Sequence, residues 1–258
     1  MSAPAARQPT VDLPVPARVL AIGAHPDDVE FGAGATLAKW ASAGSDVQLL
    51  VLTDGSKGSW DPDTDVAELA QIRQAEQRDA ADALGIGAVH FLDAVDGELD
   101  HDRRMREGVC EIIRATQPTV VLGHDPWKRY RLHPDHMRAG QLVIDGIVAA
   151  RDPHFFPGSG PPHRPDHLLL FEAEVIDHVE DVSASLEAKI AALFAHHSQW
   201  RSTMGIEADG PDAEAQAAAF ARRVRDEAAE AGALTGLAFG EAFKLLSDLL
   251  ARPLSPTF

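Results

Sequence analysis

The stretch Arg18-Val-Leu-Ala-Ile-Gly-Ala-His-Pro-Asp-Asp28 decides the fold. Arg18 to Gly23 is a short apolar run with β-branched residues, which reads as a buried strand. It stops at Ala24-His25-Pro26-Asp27-Asp28. Pro26 and the two carboxylates suit the entry to a helix, where free backbone N–H groups favour negative charge. A helix of small residues is expected from about Gly32 to Ala43, with Gly44 as its punctuation.

The same alternation continues outward. Val47–Thr53, Ala88–Leu92, Thr119–Gly123 and His167–Phe171 read as further strands. Ala67–Leu84, His101–Thr116, Pro134–Ala150 and Ser185–His197 read as helices, and Arg151–Asp166 as irregular. Asp212–Ala231 reads as a solvated Ala-rich helix, and Ala242–Leu250 closes the chain with an apolar face. Strands alternating with helices imply right-handed crossovers. The expected class is therefore α/β: a Rossmann-like three-layer fold with a mainly parallel sheet. In such sheets the ligand site lies outside the carboxyl ends of the strands. The loops after Gly23, Thr53 and Gly123 occupy such ends and carry the unusual residues.

A length of 258 residues suits one α/β domain. Residues 1–16 read as a flexible leader and 17–258 as the domain. The formal charge of -17 repels phosphate backbones and anionic membranes, so nucleic acid is excluded as a main partner. Cys110 is the only cysteine, which rules out an internal disulfide and a cysteine metal cluster. No apolar run approaches the ~18 residues that span a bilayer. A cytoplasmic protein is expected. The sequence leaves its oligomeric state open, including a homo-oligomer.

The chemistry gathers in His25, Asp27 and Asp28, then in His133, Asp135 and His136. His25 and Asp28 are three apart and can face the same way on a first helical turn. His136 lies about one turn into the helix that starts at Pro134. Two imidazoles and one carboxylate suffice for zinc if water completes the set. Zinc lowers the pKa of bound water to about 7, which answers the lack of a nucleophile in amide hydrolysis at neutral pH. Asp27 can be the base, and a positively charged His133 can stabilise an oxyanion. Asp135 can fix the orientation of an imidazole.

Ala24-His25-Pro26-Asp27-Asp28-Val29-Glu30 together with His133-Pro134-Asp135-His136 resembles the PIG-L/LmbE-type zinc de-N-acetylases. Arg73-Gln74-Ala75-Glu76, Asp96-Gly97, Leu186-Glu187-Ala188-Lys189 and Glu241-Ala242-Phe243 fall where that family has similar segments. The resemblance implies His25, Asp28 and His136 as metal ligands, Asp27 as general base, and His133 as oxyanion stabiliser and acid. It implies Zn2+ as the metal, with Fe2+ as the other candidate, and a small N-acetylated substrate of N-acetylglucosamine type. Arg73 and Asp96 are its candidates for contacts to substrate hydroxyls. The chain departs from the family in having Gly55-Ser56 where many relatives have Gly-Glu. Some relatives place a Tyr two residues before the His matching His133; here Arg131 stands there and Tyr130 one residue further away.

Blander readings stand beside these. His-Pro-Asp-Asp alone caps helices. Gly32-Ala33-Gly34 is no dinucleotide loop, because Leu37 occupies the third glycine position. Trp127-Lys128-Arg129-Tyr130-Arg131 is either a solvated loop or a rim that stacks on a sugar. His196, His197, Ser198 and Gln199 read as a helix-end network rather than a second metal site. Two histidines and a carboxylate also form the triad of non-haem Fe(II) oxygenases. A non-catalytic sugar- or metal-binding module is the third possibility.

Overall fold

The computed structural model describes residues 8–247. In chain order the elements are β1 (Thr10–Val11), β2 (Arg18–Gly23), α1 (Asp28–Ser42), β3 (Asp46–Thr53), α2 (Val66–Leu84) and β4 (Ala88–Ala94). There follow α3 (Arg103–Thr116), β5 (Val120–His124), α4 (Pro134–Ala150), β6 (His167–Phe171), β7 (His178–Asp181), α5 (Leu186–Ala195), α6 (Ala213–Ala233) and β8 (Gly240–Leu246). A 3₁₀ turn (His197–Gln199) and a π-type turn (Trp200–Met204) follow α5. Among the described residues no helix is long and apolar enough to cross a membrane.

Side chains alternate between the faces of a strand, and β2 buries both. Leu20 and Ile22 join Val109, Ile113, Leu142 and Val143 of α3 and α4. Val19 and Ala21 join Val29, Leu37, Trp40 and Leu84 of α1 and α2. Helices on both faces explain why this strand has no polar alternation. Ile22 is 0% exposed, so truncating it to alanine costs ~2–5 kcal/mol. Gly32 serves close approach: a Cβ there would lie 2.5 Å from Cδ2 of Phe171 on β6.

The strand order is β1-β7-β8-β6-β5-β2-β3-β4. Neighbours β1–β7, β2–β3, β2–β5, β3–β4 and β5–β6 are parallel. β8 runs antiparallel to both β6 and β7. The sheet is therefore mixed: five of its seven pairings are parallel, and the antiparallel strand β8 is what the sequence does not lead one to expect. The difference arises at the chain end. The apolar-faced segment expected over 242–250 returns as a strand up to Leu246, filling the gap between β6 and β7; residues 248–250 lie outside the described residues.

Two further expectations change. Thr10 and Val11, placed by sequence in a loose leader, pair with His178 and Val179 as an edge strand, and Leu13 N donates to Glu180 Oε1 at 2.8 Å. The helix α6 is not simply solvated. Phe220, Val224 and Ala228, four apart, bury one stripe against Leu186, Ile190 and Leu193 of α5.

The chain moves from β2 to β3 and β4 on one side, then crosses back to β5 and β6 on the other. β2 and β5 are thus neighbours whose connections leave in opposite directions. Their carboxyl ends frame the crevice where such sheets take ligands.

Candidate metal centre

His25 and Asp27 follow β2, and Asp28 opens α1. His133 caps α4, with Pro134 as its first residue, and His136 lies in the first turn. The crossing at β2 and β5 brings the two motifs together. His25 Nδ1 lies 3.2 Å from Asp28 Oδ2, and His136 Nε2 lies 3.2 Å from Asp28 Oδ1. His136 Nε2 is also 3.2 Å from His25 Nδ1. Donors about 2.0–2.1 Å from a tetrahedral zinc stand about 3.3–3.4 Å apart. The three side chains expected to hold the metal therefore bring donors to about the spacing such an ion needs, with His25 facing one Asp28 oxygen and His136 the other.

The surroundings orient these donors. Asp28 Oδ2 accepts the backbone N–H of His25 at 2.7 Å. On its far side, His25 Nε2 meets Asp96 Oδ1 at 3.1 Å and Asp135 Oδ2 at 3.3 Å. Two carboxylates on that nitrogen leave Nδ1 free to ligate. Asp135 is 0% exposed and also accepts Gly97 N at 2.7 Å. Burial disfavours a charged His25, yet Asp28, Asp135 and Asp96 hold its pKa well above the usual range.

Asp27 is buried beside the donors without joining them. Burial pushes its carboxyl up to about 6, against the opposing charges of Arg73 and His196. Its φ of +101° lies in the left-handed region. The His133 ring sits edge-on to His25 with centroids 4.6 Å apart, and stacks on His136 at 4.8 Å. Burial first, then the charges of His25 and His136, hold its pKa below the ordinary value. A neutral imidazole still donates one N–H, so contact with an oxyanion does not require a charged ring. A cavity of about 510 Å³ opens on this group, walled in part by Phe31, Lys57, Arg131, Glu172, Gln199 and Thr203.

The remaining expected residues divide. Asp96 points at His25 and also accepts Lys57 N at 3.1 Å. Arg73 is 3% exposed and donates to Gly55 O at 2.9 Å and Pro26 O at 2.5 Å. Much of its guanidinium is thus committed to backbone, although it still borders the cavity. Arg131 reaches both Glu172 and His136 Nδ1. Tyr130 is 90% exposed and is not among the cavity residues.

The PIG-L family model, described as GlcNAc-PI de-N-acetylase, matches residues 20–147. The diacetylchitobiose deacetylase of Thermococcus kodakarensis is 36% identical over 187 residues, covering 71% of this chain and 70% of that one. The chain belongs to the PIG-L family. A 1D-myo-inositol 2-acetamido-2-deoxy-alpha-D-glucopyranoside deacetylase of Thermomonospora curvata is 28% identical over 241 residues, covering 70% of this chain and 80% of that one. The solved N,N'-diacetylchitobiose deacetylase of Pyrococcus horikoshii superposes with a TM-score of 0.80 at 29% identity, covering 93% of this chain and 87% of that one.

Sequence reasoning misses one histidine at the centre of this PIG-L site. His124 is 1% exposed, with Nε2 3.2 Å from Asp28 Oδ2 and Nδ1 3.2 Å from Glu172 Oε2. Its ring stacks on His136 with centroids 4.4 Å apart. The sequence reading starts a loop at His124, but it is the last residue of β5. Its place at a strand's carboxyl end, where a loop already singled out begins, is the signal that points to it.

Proposed function

We propose that this PIG-L protein is a zinc-dependent de-N-acetylase that hydrolyses the acetamide of an N-acetylglucosamine-type sugar. The observation that carries the reading is the set of three 3.2 Å separations among His25 Nδ1, the Asp28 carboxylate and His136 Nε2, beside the buried Asp27. The names of the relatives support the substrate class: both a diacetylchitobiose and a GlcNAc-inositol deacetylase act on an N-acetylated glucosamine. The cavity of about 510 Å³ has the size of small-ligand sites. Buried, unpaired Cys110 fits a reducing, cytoplasmic setting.

His25, Asp28 and His136 would hold the ion. Bound there, zinc supplies Lewis acidity and a water acidic enough to deprotonate near neutral pH. Asp27 takes the proton of the attacking water. Burial raises the affinity of this carboxylate for the proton it must carry. His133 lies on the His25–His136 side of the cavity and donates its N–H to the oxygen that gains charge as the carbonyl becomes tetrahedral. Asp27 then returns its proton to the departing amine. Phe31 and Gln199 wall the cavity where the sugar is held. The fold layout that serves this chemistry is Rossmann-like, with the site at the carboxyl ends of β2 and β5.

The test is metal analysis of the purified protein, followed by free-amine detection with N-acetylglucosamine, N,N'-diacetylchitobiose and GlcNAc-inositol. Stoichiometric zinc with amine release from at least one sugar is the expected result. Iron with oxygen uptake and no acetate would replace this reading with the oxygenase.

A further inference from the structure

Asp27 adopts a backbone conformation that favours glycine, with φ at +101°. A side-chain-bearing residue keeps such a geometry only where its surroundings over-determine it. If the carboxylate is the base, glycine is not an option here, so neighbours must hold the turn. They come from one face of α2, where Arg73 and Gln77 stand four residues apart and are 3% and 1% exposed. Arg73 holds the carbonyl of Pro26. Gln77 Oε1 accepts the Asp27 N–H at 3.0 Å.

The Gln77 amide is not free to turn over. Its Nε2 donates to Glu30 Oε1 at 2.5 Å. The Asp27 backbone N–H can only donate, so the amide must present its oxygen to Asp27 and its NH₂ to Glu30. Glu30 is 0% exposed, and a buried polar group needs partners. The nearest cationic candidate is His196, also 0% exposed, whose Nε2 lies 3.8 Å from Glu30 Oε2, beyond hydrogen-bond distance, so it acts on Glu30 through charge when protonated. None of these three residues is among those walling the cavity. They form a line from the end of α5, through α1, to α2 and back to the strained turn.

We propose that Gln77, oriented by Glu30 and His196, is a positioning residue that fixes Asp27 in the left-handed turn from which its carboxylate serves the reaction. This rests on the reading of Asp27 as the base. Gln77 would set the rate without touching substrate.

The experiment uses the full-length, zinc-loaded protein and N,N'-diacetylchitobiose. Gln77→Met keeps the volume and removes both polar groups. It is expected to lower kcat about 10- to 100-fold, as a misplaced reacting group does, with KM and zinc affinity within about threefold. The Asp27 amide, protected from hydrogen exchange in the parent, should exchange at least about tenfold faster in this variant. The exchanged pair Glu30→Gln with Gln77→Glu restores an amide–carboxylate contact in reverse and still offers an oxygen to Asp27 N–H. It should recover most of the lost rate, which a purely structural defect would not. Amide exchange needs no substrate and decides the matter even for a slow sugar. A freely exchanging Asp27 amide in the parent protein would overturn the proposal. So would Gln77→Met with unchanged exchange and kcat. Asp27→Asn is the separate control: full turnover in that variant removes the base itself, whereas its inactivity beside an unaffected Gln77→Met removes only the positioning.

Discussion

Asp135 gives the sharpest test of how the metal site is supported. It is fully buried and offers Oδ2 to His25 Nε2 at 3.3 Å and to Gly97 N at 2.7 Å. Asp135→Ala leaves the Gly97 N–H without its acceptor and His25 Nε2 with Asp96 alone. Loss of a carboxylate behind a metal-binding histidine costs about 10- to 100-fold in metal affinity, or ~1.4–2.7 kcal/mol. The orphaned Gly97 N–H adds ~1–3 kcal/mol of instability. For a chain of this size each kcal/mol lowers Tm by roughly 2–4 °C. Asp96 Oδ1 shares the same His25 nitrogen at 3.1 Å, so the two carboxylates partly substitute for each other. The double variant Asp96→Ala, Asp135→Ala should therefore lose more zinc affinity than the product of the single losses. Zinc competition against a chelator measures the affinities, and thermal unfolding of the metal-free proteins measures the stability. Zinc affinity within twofold of the parent in both single variants and the double would refute the idea that these carboxylates orient His25.

The other predictions are independent of that one. His133→Ala should keep zinc and lose roughly 10²-fold in kcat, because an oxyanion donor is removed while the ligands stay; unchanged turnover takes His133 out of the reaction. Asp27→Asn should likewise retain zinc with kcat reduced by about 10²- to 10⁴-fold, and near-normal rates would show that the base lies elsewhere. Gly32→Ala should destabilise by ~1–3 kcal/mol, since its new methyl would sit 2.5 Å from the Phe171 ring; a chemical-denaturation midpoint equal to the parent's contradicts this. Removing the metal with a chelator should abolish amine release and restore it on readdition of zinc.

The two motifs were legible because their spacing is local. His25 and Asp28 share one turn, and His133 and His136 share another, so each half of the site is written in a few residues. Strand-helix alternation places both motifs at the carboxyl ends of the sheet, and the pairing of β2 with β5, which only the structure gives, brings them together. What sequence could not supply was long-range. β8 pairs with β6 and β7 across 59 or more residues of chain (Asp181 with Gly240 is the shortest span), and its apolar, short pattern carries no mark of direction. Arg73 and Asp96 look like groups free for a sugar, yet in the fold Arg73 serves the Pro26 and Gly55 carbonyls and Asp96 serves His25. His124 was hidden because one histidine at the end of an apolar run has no partner in sequence. Only the sheet shows that its Nε2 reaches Asp28.

The proposed chemistry requires one ion held between two imidazoles and Asp28. Anomalous diffraction at the zinc absorption edge from crystals of the zinc-loaded protein tests it most directly. A single strong peak is expected about 2.0–2.2 Å from His25 Nδ1, an Asp28 oxygen and His136 Nε2. A peak held by other side chains, or none at that position in active protein, would contradict it.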